Sequence, residues 1–189
     1  YPMESERPAD KRTFFVKRCM GLPGDTLEVF AKRVIVNGDT IENLPNYQFV
    51  RKVKATEALQ QDWLDSLGVT EGGLVSNMLD YEFPLTDSLQ RKFARHPFVH
   101  AVQMRLEKQG DYQAYVFPHN RAYPYNNDFW GPLVVPKAGM EIQLNDTNLA
   151  VYERIIRDYE HNELSATGGL IYINGEQRST YTFRYDYYF

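Results

Sequence analysis

Gly21-Leu22-Pro23-Gly24-Asp25-Thr26-Leu27-Glu28-Val29-Phe30-Ala31-Lys32-Arg33-Val34-Ile35-Val36-Asn37-Gly38 decides the fold class. β-Branched and apolar residues run through Val29 to Val36, and Asn37-Gly38 then separates Ile35-Val36 from a polar Asp39-Thr40. Asn and Gly both tolerate positive φ, which a two-residue hairpin turn requires at its two central positions. The same pattern returns in Leu170-Ile171-Tyr172-Ile173-Asn174-Gly175, so two hairpins are predicted. The two stretches read as copies. Residues 21–43 are echoed by 135–144 and then, after an interruption, by 168–180.

Outward from these hairpins the composition stays strand-like. The 14 Tyr, 11 Phe and 2 Trp of the 189 residues sit in short runs with β-branched neighbours, as in Thr13-Phe14-Phe15-Val16 and Thr180-Tyr181-Thr182-Phe183. The interruption reads as a helix capped by Asp146, with Leu149, Tyr152, Ile156 and Tyr159 on one face. Gly168-Gly169 ends the loop that follows it. Residues 45–130 have a different texture. Thr56 is placed to cap a helix bearing Leu59, Trp63 and Leu67, and Thr86 one bearing Leu89 and Phe93 before His96-Pro97 stops it. Strands are predicted over Val99–Glu107 and Tyr112–Phe117, with Gly110-Asp111 as the turn between them. The resulting fold class is mainly antiparallel β. Residues 1–44 and 131–189 form the core, and 45–130 are an inserted α+β cap.

Composition removes several function classes. A net charge of −4 supplies no cationic field for a polyanion, so nucleic acid is set aside as a partner. One cysteine, Cys19, excludes an internal disulfide and a cysteine-rich zinc site. No window of about eighteen apolar residues exists to span a bilayer. The first residues, Tyr1-Pro2-Met3-Glu4, do not read as a secretion signal and lack an initiator methionine, so the expectation is a piece of a longer protein. His96, His100, His119 and His161 are dispersed, without metal-ligand spacing. Gly21-Leu22-Pro23-Gly24-Asp25 lacks the Lys-Ser/Thr of a phosphate loop and reads as a tight turn. No metal and no cofactor is implied.

The chemistry-bearing segment precedes that turn. In Phe14-Phe15-Val16-Lys17-Arg18-Cys19-Met20 a strand would place Phe15, Lys17 and Cys19 on one face and Phe14, Val16, Arg18 and Met20 on the other. One face or the other would then bury a cation. Two basic residues on an edge strand are ordinarily solvated. The sharper reading is that bulky apolar neighbours desolvate Lys17 and hold it neutral. Lowering a lysine from about 10.4 to about 7 or 8 takes roughly 4 kcal/mol, within the reach of burial. A neutral lysine is a general base for a serine hydroxyl.

The stretch KRTFFVKRCMGLPGDTLEV resembles the lysine-containing box of bacterial type I signal peptidases, in which Lys-Arg, a few small or apolar residues, Gly-x-Pro-Gly-Asp and a strand follow in order. The long insertion after the box, then a helix and a hairpin, is similar to signal peptidases of Bacteroidetes-type bacteria. The resemblance implies a signal-peptidase-type β core and a serine-lysine endopeptidase that removes signal peptides from exported preproteins. It implies a parent anchored in the cytoplasmic membrane, with this domain on the periplasmic side and in contact with the membrane surface. Lys17 falls on the general base and Arg18 on its partner, with Gly21, Pro23, Gly24 and Asp25 on the turn. Phe14, Phe15 and Val16 would line pockets for small side chains of an extended substrate.

The chain also departs from that family pattern. The Ser-Met-x-Pro box that carries the nucleophile is absent, so the serine would lie upstream of Tyr1 and the fragment alone would be inactive. Tyr185-Asp186-Tyr187-Tyr188-Phe189 is similar to the strand that leads into the family's Gly-Asp-Asn-Arg box. Pro118-His119-Asn120-Arg121 with Asp128–Pro132 imitates that box but reads as a loop, with Asn126-Asn127-Asp128 as turn formers and Trp130 packed on the core. The rival readings are a catalytically silent signal-peptidase-like binding module, a self-cleaving repressor-type serine-lysine protease, and a tyrosine-rich glycan-binding β module.

Overall fold

The computed structural model describes residues 16–42 and 44–189. In chain order the first half runs β1 (Thr26–Phe30), β2 (Arg33–Val36), β3 (Asp39–Thr40), β4 (Phe49–Ala55), α1 (Gln61–Ser66), β5 (Gly73–Ser76), β6 (Asp80–Leu85), α2 (Asp87–Phe93) and β7 (Val99–Met104). The second half runs β8 (Phe129–Val134), β9 (Glu141–Gln143), α3 (Asp146–Arg154), a π-helical turn (Ile155–Tyr159), β10 (Leu164–Thr167), β11 (Leu170–Ile173), β12 (Glu176–Gln177) and β13 (Thr180–Thr182). All strand pairings among the described residues are antiparallel, in the orders β3-β2-β1-β8, β10-β11-β12, β13-β9 and β5-β6-β4-β7. The fold is mainly antiparallel β, as its composition predicts.

Both Asn-Gly hairpins form. Asn37 and Gly38 take φ of 54° and 91°, and Asn174 and Gly175 take 52° and 80°. Each is preceded by a second tight turn, Ala31-Lys32 before β2 and Gly168-Gly169 before β11, also at positive φ. Gly168-Gly169 is thus itself a hairpin turn rather than the end of a loop. The duplication is in this three-strand meander. The strands β1-β2-β3 and β10-β11-β12 correspond residue by residue, so residues 162–167, and not 135–144, stand opposite 25–30. The 135–144 echo has its own basis in the backbone. Gly24 N donates to Val135 O and Val135 N to Asp25 O, just as Gly139 N donates to Phe183 O and Phe183 N to Met140 O.

Apolar packing forms two separate clusters. Leu27, Trp130, Leu133, Ile156, Ile171 and Phe183 anchor the first, with Val116, Tyr123 and Tyr125 packed against it. Val53, Tyr81, Phe83, Leu85 and Phe93 anchor the second, between the β5-β6-β4-β7 sheet and helices α1 and α2. Each fully buried Phe or Leu contributes about 1.5–3 kcal/mol, so neither cluster is incidental. Thr86 caps α2 by accepting from Leu89 N at 3.2 Å.

Four expectations are corrected. The helix assigned to Thr56 begins at Gln61, because Thr56 is engaged with Phe98 O through both its hydroxyl and its N–H. The cap of α3 is Asn145, whose side chain accepts from Asn148 N at 2.8 Å, and Asp146 is the first residue inside. Tyr159 is 54% exposed although Ile156 is fully buried, because the π turn widens the helix and rotates Tyr159 off the buried face. Gly110-Asp111 is a turn without a hairpin: residues 112–117 are irregular, and β7 pairs with β4 instead.

A register shift separates Leu27 and Val29 where β1 pairs with β8, and Gly131 occupies the extra position at φ 90°. A Cβ there would stand 2.6 Å from Leu27 O, whereas one on Gly38 meets nothing within 4 Å. Gly38→Ala should therefore cost about 1 kcal/mol, the strain of a left-handed alanine. Gly131→Ala should cost about 3 kcal/mol, strain plus overpacking. Urea unfolding of the two variants measures the difference.

Candidate active site

The turn Gly21–Asp25 is held from three directions. Asp25 Oδ2 accepts Leu22 N at 2.8 Å and Asp25 N donates to Leu22 O at 2.9 Å, which closes the turn on itself. Asp25 Oδ1 accepts Asn37 Nδ2 at 2.7 Å, which ties the turn to the β2-β3 hairpin. These bonds, that from Asn37 first and that from Leu22 second, hold the Asp25 carboxyl below the usual carboxylate range. Gly24 at φ 90° packs beside the Lys137 side chain. Pro23 is half-buried.

The third attachment is the chain terminus. Met20 N and Gly21 N donate to Phe189 O at 2.6 and 3.0 Å, and Phe189 N donates to Gly21 O at 3.0 Å. Gly21 is buried, and a Cβ on it would fall 2.6 Å from Leu27 Cδ1 and 3.1 Å from Val135 Cγ2. A side chain there would push the segment off the sheet.

Beyond Met20 the picture differs from the strand expected over Phe14–Met20. Val16, Lys17, Arg18 and Cys19 are exposed and carry no strand assignment, and Val16 is 98% exposed. Among the described residues of this segment neither Lys17 nor Arg18 is buried. Phe14 and Phe15 lie outside the described residues. The Arg18 guanidinium donates to the Tyr47 hydroxyl and sits 5.6 Å from the centre of that ring. Tyr47 begins the stretch read as an insertion and carried no sequence signal for this contact. Of the imitation segment, residues 118–128 form a loop and residues 129–131 lie in β8: Asn126 Oδ1 accepts Asp128 N and Phe129 N, and Trp130 Nε1 donates to Phe117 O at 2.7 Å. Trp130 also stacks on Phe189, with ring centres 5.2 Å apart.

Strand β13 leads into the irregular segment that ends at Phe189, which has an anchor of its own that sequence reasoning missed. Glu160 is 1% exposed, yet its carboxylate is fully engaged. Oε1 accepts Arg184 N and Tyr187 OH, each at 2.9 Å, and Oε2 accepts Tyr181 OH. Asn162 Nδ2 donates to Tyr181 OH at 2.8 Å. An isolated acid in a polar run gives no hint of this; only the fold gathers Tyr181, Arg184 and Tyr187 around it. Beside this segment an apolar groove of about 260 Å³, lined by Val135, Pro136, Tyr152, Tyr187 and Phe189 among others, can take up an apolar side chain.

Among the described residues no group of three or more His, Cys, Asp or Glu is placed to hold a metal ion, and no helix is long and apolar enough to cross a membrane. The family model described as "Signal peptidase, peptidase S26" matches residues 5–80, a span that contains Lys17, Arg18 and the Gly21–Asp25 turn. That match covers less than half of the chain, and over that span the chain is similar to the signal peptidase family. No curated protein matches the chain, and no solved structure does.

The tyrosines around the C-terminal strand give the site a measurable signature. Burial raises Tyr152 to about 12, and burial with the Glu160 hydrogen bond raises Tyr181 to about 12. Tyr187 moves upward for the same reasons. A phenol that ionises less readily when folded adds stability that is complete below its unfolded value near 10.0 and is lost as pH climbs through its folded value. Stability should therefore hold to about pH 10 and decline toward pH 12, with phenolate absorbance lagging behind that of the unfolded chain. In Glu160→Gln, Tyr181 and Tyr187 should ionise at lower pH while Tyr152 is unchanged.

Proposed function

We propose that this chain is part of a membrane-bound serine endopeptidase that removes signal peptides from exported preproteins, with Lys17 as the general base. The observation that carries the reading is the family-model match over residues 5–80, which spans the Lys17-Arg18 pair and the Gly21–Asp25 turn. In this mechanism a serine upstream of Tyr1 attacks the scissile carbonyl while the Lys17 amine takes its proton. The ammonium so formed gives that proton to the leaving nitrogen as the peptide C–N bond breaks, and the amine thus restored activates the water that releases the acyl-enzyme. In this mechanism bound substrate desolvates the lysine.

The geometry of the segment fits that role. Val16–Cys19 is exposed, and in this reading an extended peptide adds beside it as a strand. Gly21, clamped to Phe189, gives that strand a fixed end. Arg18 on Tyr47 links the segment to residues 45–130. Phe14, Phe15 and Val16 would face the residues just before the cut. The domain would stand on the periplasmic side of the cytoplasmic membrane, with preprotein signal peptides as partners. No cofactor enters the chemistry.

The test is cleavage of a preprotein by the full-length gene product. Lys17→Ala and Lys17→Arg should each lower kcat by a factor of about 10²–10⁴, because neither side chain can act as a base near neutral pH. Full activity in Lys17→Arg would overturn the assignment of the base. If the unaltered protein binds signal peptides and cleaves none, the silent binding module is the better description.

A further inference from the structure

The hydrogen bonds of the β1-β2-β3 meander recur 137 residues later with the same partners. Asn37 N donates to Thr26 O, Thr26 N donates to Asn37 Oδ1, and Asn37 Nδ2 donates to Asp25 Oδ1. Asn174 N donates to Glu163 O, Glu163 N donates to Asn174 Oδ1, and Asn174 Nδ2 donates to Asn162 Oδ1. Even the closing bonds of the two hairpins correspond, Ile41 N to Val34 O and Arg178 N to Ile171 O.

In both copies the asparagine does more than turn the chain. Glycine would satisfy the positive φ at position 37 equally well. What glycine lacks is the amide that reaches back across the hairpin, accepts from one strand and donates to the residue before it. In the second copy that residue is Asn162, which joins Glu160 around Tyr181 and Arg184, at the root of the segment ending at Phe189. In the first copy it is Asp25, whose other oxygen closes the turn behind the lysine segment. The two segments so anchored meet at the Gly21–Phe189 bridge.

We propose that Asn37 is a positioning residue for the lysine segment, acting through Asp25. The role rests on the signal-peptidase reading of Lys17. Asn37 fixes the orientation of the Asp25 carboxylate, the carboxylate fixes Leu22 N, and the turn thereby sets where the chain leaves toward Lys17. The lowered titration of Asp25, with Asn37 as its largest cause, agrees with a carboxylate held in its charged form.

An exchange of the two side chains tests this. Asn37→Gly keeps the turn and removes the amide. Asn37→Asp sets two carboxylates against each other, and Asp25→Asn sets amide hydrogens against a donor. The double variant Asp25→Asn/Asn37→Asp restores every bond, since the amide at 25 then donates to the carboxylate at 37 and still accepts Leu22 N. In the full-length protein each single variant should lower kcat about tenfold with KM within about twofold, and the double variant should return to within about threefold of the unaltered enzyme. Amide exchange at Gly21 and Leu22 should quicken in the singles and recover in the double, while exchange in β4, β6 and β7 stays unchanged. Singles as active as the unaltered enzyme, or a double no better than the singles, would overturn the proposal. If the unaltered protein cleaves no preprotein, the functional reading fails, and exchange at Leu22 still decides whether Asn37 positions the turn.

Discussion

The reciprocal backbone bridge between Gly21 and Phe189 is the constraint on which the site depends. It joins the segment leading from Lys17 to the segment that follows β13, and it closes only because position 21 has no side chain to strike Leu27 and Val135. Everything that fixes either partner therefore bears on where the lysine stands. On one side are Asp25 and the first meander; on the other are Glu160, Tyr187 and the second.

Burial is distributed to match. Glu160 and Asn162, sealed in the interior, are satisfied by hydrogen bonds, as the cost of leaving such groups unpaired demands, whereas buried Arg51 pairs with Asp87 but leaves its Nε without a partner. The side chains next to the proposed chemistry, Val16 to Cys19, are exposed instead. In the proposed reading, a well-packed frame holds this exposed segment where an extended peptide would add beside it.

How much of this was legible in the sequence follows from how local each signal is. Asn37-Gly38 and Asn174-Gly175 were readable because positive φ is demanded at two adjacent residues and few residue types supply it. The Gly21–Asp25 turn was readable for a related reason, as was the cap at Thr86. The partner of β7 was not: alternation shows that Val99–Met104 is a strand but not that it pairs with β4 across the sheet. Tyr159 was misassigned because periodicity assumes a regular helix and cannot foresee a π turn. The true register of the duplication was hidden because it lies in asparagine side-chain bonds, and the copies share little sequence beyond Asn-Gly. Lys17 and its turn could be named from the sequence, whereas Glu160, Tyr187 and the clasp at Phe189 could not, since their link to the lysine runs through contacts far apart along the chain.

The most direct test of the account is the distance from Lys17 Nζ to the nearest serine hydroxyl in a crystal structure of the full-length protein. Separation within hydrogen-bond reach, about 2.6–3.2 Å, is what a lysine general base requires. A Lys17 amine with no serine oxygen near it, while the Gly21–Phe189 bridge stays intact, would contradict the account.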